Sequence, residues 1–153
     1  MSRRSIMLMM EYENALAELY NLFSLTFEEL SSFWQSLSKE EINHANMISG
    51  LLVKVDDENL FLNENRFKEE PLEVSLDYVS EIMERTRKGE LTIINALAIA
   101  SSIENSIIEA KYLELFTGES AQMGNILSQL REETIKHRTR ITEMLEKVRN
   151  NTL

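Results

Sequence analysis

The chain has 153 residues, 43% of them hydrophobic, enough to build one sizeable core and consistent with a single domain over residues 1–153. Its 26 acidic residues against 16 basic give a formal net charge of -10, which argues against general nucleic-acid binding, where clustered Lys and Arg must neutralise phosphates. There is no cysteine, which excludes disulfide scaffolds, thiolate zinc sites, iron–sulfur clusters and thiol catalysis.

The chain holds only 4 glycines and 1 proline, far below the usual combined share of roughly 12%. So few chain breakers predict long helices. The start, Met1 to Met7 with Arg3 and Arg4, superficially resembles a twin-arginine export signal. Its apolar run, Ile6 to Met10, is ended by Glu11 and Glu13, short of the roughly 7–15 residues an export segment needs. The expectation is a cytoplasmic protein with no membrane partner.

The first helix is predicted at about 5–24, with the seam Ile6, Met9/Met10, Leu16/Ala17, Tyr20 and Phe23 at steps of three and four. Thr26 with Glu29 reads as a capping box opening a second helix at about 27–53, with the seam Phe27, Leu30, Trp34, Leu37, Ile48 and Leu51/Leu52. Residues 54–74 hold Asp56, Asp57, Glu58, Glu64, Glu69, Glu70 and the lone Pro71, an acidic surface connection. A shorter helix at about 75–88 is closed by Gly89. A helix at about 90–116 and another at about 120–149 complete the chain, the last with the seam Met123, Leu127, Leu130, Ile141, Leu145 and Val148. Two hairpins joined by a long crossover that carries a short extra helix form the connectivity of the ferritin-like four-helix bundle. The predicted fold class is therefore all-α.

Each long helix breaks its apolar pattern near mid-length. The seams fall on Glu13 in the first, Glu41 and His44 in the second, Glu104 in the 90–116 helix, and Thr134 and His137 in the last. Glu11, Glu18 and Glu109 sit off the seams and read as solvated. Isolated buried carboxylates are costly, and a cation removes the cost. Three glutamates and two histidines suit iron or manganese, and Glu41-x-x-His44 places both side chains on one face. Any one such residue alone is more simply a hydrogen-bonded core residue; the five together are not. Leu37 to Ile48 also aligns without a gap over Leu130 to Ile141, five of twelve positions being identical, His44 with His137 and Glu40 with Glu133 among them. Glu13 precedes Glu41 by 28 residues and Glu104 precedes Thr134 by 30, so two hairpins of one design would face each other.

On these pieces the sequence resembles the rubrerythrin-like branch of the ferritin-like di-iron proteins. The pieces are Glu13 to Tyr20, Phe33-Trp34 followed by Glu40 to Ala45, Ala98 to Glu104, and Leu130 to His137. The resemblance runs over nearly the whole chain, and the second-helix motif is its most specific part. It implies two irons held by one Glu from each of two helices and a Glu-x-x-His from each of the other two. Carried over, the metal ligands are Glu13, Glu41, His44, Glu104 and His137. Thr134 stands where the sixth ligand is expected, and Glu133, one residue earlier, is the alternative donor. Of the two iron sites, the one at Glu13, Glu41 and His44 is expected to be the more complete, with manganese or zinc as alternative metals. An extra glutamate of the peroxide-reducing members is Ile107 here, and the cysteine-bearing rubredoxin domain is absent, so a separate electron donor is expected.

The resemblance also implies a homodimer or larger homo-oligomer, with Ile93, Ile94, Ile99 and Ile103 widening an apolar surface. The eight methionines, Tyr20 and Trp34 read as core filling, and Lys136, Arg138 and Arg140 as a solvated face. Two functions remain: an oxidoreductase of peroxide-reductase or ferroxidase type, or a degenerate bundle kept as an oligomeric binding module. The five ligands favour the first and Thr134 the second.

Overall fold

A computed structural model describes residues 2–58, 61–62, 70–110, 116–117 and 121–151. They form five α-helices: α1 (Ser2–Thr26), α2 (Ser31–Glu58), α3 (Glu70–Arg87), α4 (Ile93–Ala110) and α5 (Ala121–Arg149). Two two-residue strands, β1 (Phe61–Leu62) and β2 (Phe116–Thr117), pair antiparallel with Phe61 opposite Thr117. Helix α1 packs along α2 and α4 along α5, while α3 packs on α1 and α5 touches α2. None of the described helices is long and apolar enough to cross a membrane.

The α1–α2 pair is built on aromatic rings. Tyr20, Phe23 and Trp34 are fully buried. Trp34 lies 4.9 Å from Phe23, 5.7 Å from Tyr20 and 5.1 Å from Phe33, ring centre to ring centre. Burying a large apolar side chain stabilises by about 1.5–3 kcal/mol, and the aromatic pairs add about 0.5–1.5 kcal/mol each. The Ser38 hydroxyl, also buried, donates to the Ala17 carbonyl at 2.7 Å and ties the two helices where they approach closely. The described core of α4 and α5 is aliphatic instead: Ala96, Leu97, Ala100, Ile103, Leu130, Ile141 and Leu145.

Several local expectations change. Thr26 does not cap the second helix. It is the last residue of α1, and its hydroxyl donates back to the Leu22 carbonyl at 2.9 Å. A 3-10 turn over Glu28–Leu30 leads into α2 instead, with no side-chain cap at Phe27. Helix α2 runs five residues past the expected end and α3 starts five before the expected start. Pro71 sits in the first turn of α3, where its missing N–H costs nothing. Gly89 closes α3 with φ 72°, its N–H donating to the Thr86 carbonyl at 3.0 Å and that of Glu90 to Arg85 at 3.1 Å. That pair of bonds needs a left-handed residue, which glycine supplies without steric cost. Thr92 caps α4 reciprocally with Asn95: the Thr92 N–H donates to Asn95 Oδ1 at 3.0 Å, and the Asn95 N–H to Thr92 Oγ1 at 3.1 Å. The sequence reading began this helix at Glu90 and continued it to Phe116. The described helix ends at Ala110, and Phe116 is in β2.

Ile103 lies in the core rather than on a surface, while Ile93 and Ile99 are half-buried and Ile94 is exposed. Glu11 and Glu18 are exposed, as expected. The side chains of Glu109, Met123 and Leu127, and most of the acidic connection, lie outside the described residues.

Candidate metal centre

The five expected ligand positions come from four helices: Glu13 from α1, Glu41 and His44 from α2, Glu104 from α4 and His137 from α5. All five side chains are buried to 2% exposure or less. They converge. His44 Nδ1 lies 3.1 Å from Glu41 Oε2 and 3.8 Å from Glu13 Oε2. His137 Nδ1 lies 3.0 Å from Glu41 Oε1 and 3.8 Å from Glu104 Oε1. Each oxygen of Glu41 thus faces one histidine, and each histidine faces one further glutamate. The two imidazoles are nearly parallel, 19° apart, with centres 5.1 Å apart.

The outer nitrogens are held as well. His44 Nε2 lies 2.7 Å from Glu133 Oε2, and His137 Nε2 lies 3.1 Å from Glu40 Oε2. The grip crosses between helices: a carboxylate of α5 orients the histidine of α2, and a carboxylate of α2 orients that of α5. Such carboxylate–imidazole pairs fix a ring's orientation and raise its basicity as a ligand. Glu133, the alternative donor of the sequence reading, faces the outer edge of His44. Thr134 points inward and is buried, but its hydroxyl donates to the Leu130 carbonyl of its own helix at 2.8 Å.

Neither Glu40 nor Glu133 is among the five ligand positions expected from the sequence. The signal that could have found them was their identity in the internal repeat, where they align with each other. The basic run is not simply solvated either. The Arg140 guanidinium donates to Glu40 Oε2 at 2.6 Å and to Ser36 Oγ at 3.0 Å, and Arg138 donates to Asn105 Oδ1 at 3.2 Å. Lys136 is exposed. Glu133 is supported by a neutral donor, Gln129 Nε2 at 3.1 Å. A surface cavity of about 420 Å³ between α2 and α5 is lined by Glu40, Glu133, Lys136, His137 and Arg140 and reaches the outer side of the centre.

The buried groups shift one another's proton affinity. Burial alone would lower both imidazoles, but the facing carboxylates of Glu13 and Glu41 lift His44 to about 11. Glu104 and Glu41 lift His137 to about 10. Burial pushes Glu13 up to about 8, and the charge of Glu41 adds to the push. The Tyr20 hydroxyl donates to Glu104 Oε1 at 2.7 Å; burial first, then the charges of Glu104 and Glu41, raise it well above the usual phenol range and keep its proton in place.

Glu41, His44 and His137 each offer a ligand atom within 4.8 Å of the others, a buried group that could hold a metal ion. Imidazole nitrogen with carboxylate oxygen is the donor mixture of iron, manganese and zinc sites. Comparison of the chain with protein-family models, with curated proteins and with solved structures finds no match.

Proposed function

We propose that this chain is a ferritin-like, rubrerythrin-type iron protein with a two-metal centre in a four-helix bundle, acting on dioxygen or peroxide or oxidising Fe(II). The observation that carries the reading is the paired arrangement around Glu41. One half-set is Glu13, His44 and Glu41 Oε2; the other is Glu104, His137 and Glu41 Oε1, with matching distances of 3.8 Å and 3.0–3.1 Å. Glu13, Glu41, His44, Glu104 and His137 would hold the metal, and carboxylate with imidazole suits divalent iron. Bound Fe(II) would supply the electrons for reducing dioxygen or a peroxide. The chain's own residues set the surroundings. Glu40 and Glu133 aim the two histidines, Tyr20 donates a hydrogen bond to Glu104, and the buried Tyr20–Phe23–Trp34 layer shields one side.

Thr134 stands where the sixth ligand would be, so three inner carboxylates would face the four positive charges of two Fe(II) ions. The ion on the side of Glu13, Glu41 and His44 should bind more firmly, and the second more weakly. Anaerobic Fe(II) titration of the purified protein tests this. Two unequal steps are expected, and Thr134→Glu should tighten the second and speed Fe(II) oxidation.

The bound hydroxyl of Thr134 favours a second reading, a bundle retained as an oligomeric binding module. A folded wild type that takes up no metal, with Thr134→Glu no better, would select it. Sedimentation tests the homo-oligomer that both readings share.

A further inference from the structure

A groove of about 830 Å³ runs between α1 and α3, apart from the centre. Its floor is apolar and rich in methionine: Met7, Met10, Ala15, Leu76, Val79 and Met83. Met7 is 52% exposed, although a side chain of this size normally seeks cover. Methionine is flexible and polarisable and adapts to varied apolar partners. The rim carries one sign of charge. Glu11 and Glu18 stand on the α1 side and Glu73 and Asp77 on the α3 side, all exposed; among the described residues the lining includes no Lys or Arg, and Arg4 meets the rim only through Glu73. The cavity at α2–α5, by contrast, mixes Glu40 and Glu133 with Lys136 and Arg140.

We propose that this groove docks a basic amphipathic helix of a partner protein, its apolar stripe on the methionine floor and its Lys or Arg residues on the acidic rim. Helix-in-groove recognition needs an apolar trough and flanking charges opposite to those of the helix. From Met7 to Glu18 the groove follows twelve residues of α1, about 16 Å at 1.5 Å per step, which matches about three turns of a partner helix. The rim already holds one guanidinium: Arg4 reaches Glu73 Oε1 at 2.7 Å. A second copy of the chain is a poor occupant, because the chain's net charge is -10 and the rim itself is acidic. An anionic membrane surface is disfavoured for the same reason. Glu13 lies on α1 between the groove residues Met10 and Asn14 but is buried on the inner side. A partner in the groove thus sits one helix thickness, about 10 Å, from the candidate centre. The groove does not depend on the metal reading.

The probe is a synthetic helix of about three turns, with leucines at i, i+3 and i+7 and lysines on its flanks, and a matched peptide with glutamates in place of the lysines. Fluorescence anisotropy on the full chain should show binding of the lysine peptide alone. Raising salt from about 0.1 M to about 1 M shortens the screening length from about 10 Å to about 3 Å and should weaken binding by about tenfold or more. Reversing the rim with Glu18→Lys and Asp77→Lys should cost about tenfold. Reversing two exposed charges elsewhere, Glu143→Lys and Glu146→Lys, changes the net charge equally and should cost less than about twofold. Met7→Gln, which leaves the charge untouched, should also weaken binding. Equal binding of both peptides, equal losses from the two reversals, no binding at all, or a self-associated chain that dissociates on rim reversal would each overturn the proposal.

Discussion

The two hairpins share an internal repeat yet are built differently. The α1–α2 pair carries the buried rings Tyr20, Phe23 and Trp34 and supplies Glu13, Glu41 and His44. The α4–α5 pair has an aliphatic described core and supplies Glu104 and His137, with Thr134 at the repeat position of Glu41. Their histidines are nonetheless placed alike, each with Nδ1 toward Glu41 and Nε2 held by a carboxylate of the other hairpin. Symmetry has thus survived in the layer that positions the imidazoles and been lost in the packing around it. Packing tolerates hydrophobic exchange at constant volume, whereas ligand geometry does not.

Removing the shared layer should give the largest effect. His44→Ala with His137→Ala should abolish iron uptake, measured by metal analysis, while circular dichroism remains helical, because the aromatic and aliphatic cores are untouched. Unchanged iron content would show that the imidazoles are not ligands.

The packing contrast comes next. Trp34→Ala should cost about 3–5 kcal/mol in urea unfolding, and Ile141→Val in the other hairpin only about 0.5–1.5 kcal/mol. Both side chains are fully buried, so a loss for Trp34→Ala below about 1.5 kcal/mol would contradict its place in the core.

The outer carboxylates differ in support, and that difference can be sharpened. Glu133→Gln should weaken metal affinity by about tenfold, near the lower end for such partners, since Glu133 is 2.7 Å from His44 and Gln129, its other support, is neutral. Glu40→Gln should weaken it less, because Arg140 at 2.6 Å already offsets part of the Glu40 charge. The Arg140 pair is about one-third exposed, so its loss should change stability by no more than about 1 kcal/mol. Competition titration against a chelator separates the two variants.

The smallest expected effect is on pH dependence. His44, His137 and Glu13 are all raised in the folded chain, to about 11, 10 and 8. The metal-free fold therefore holds more protons than the unfolded chain between their ordinary and raised values. These groups' favourable contribution is complete below their ordinary values. It falls from about pH 4.5 for Glu13 and about pH 6.5 for the histidines, until each raised value is passed. A metal needs the same groups deprotonated, so the gain in Tm on adding metal should grow from about pH 5 to about pH 9. A gain independent of pH would place the metal elsewhere.

Local sequence and the 3.6-residue period were enough to locate five helices, the αL residue at Gly89, and the interruptions at Glu13, Glu41, His44, Glu104, Thr134 and His137. All six interruptions are buried, because a position on an apolar seam faces inward whatever its chemistry. Helix starts were less legible. Thr26 and Thr92 are both threonines before helical segments, but only Thr92 finds a reciprocal partner, Asn95, while Thr26 bonds back to Leu22. The internal repeat marks Glu40 and Glu133 as a matched pair, but their crossed partners, His137 and His44, were decided by tertiary structure. A residue beside a seam is solvated or engaged according to which neighbouring helix passes it and at what height, and helical periodicity carries neither fact. The same holds for the groove between α1 and α3. Each helix by itself has an ordinary charged outer face, and only their packing sets methionines between two acidic rims.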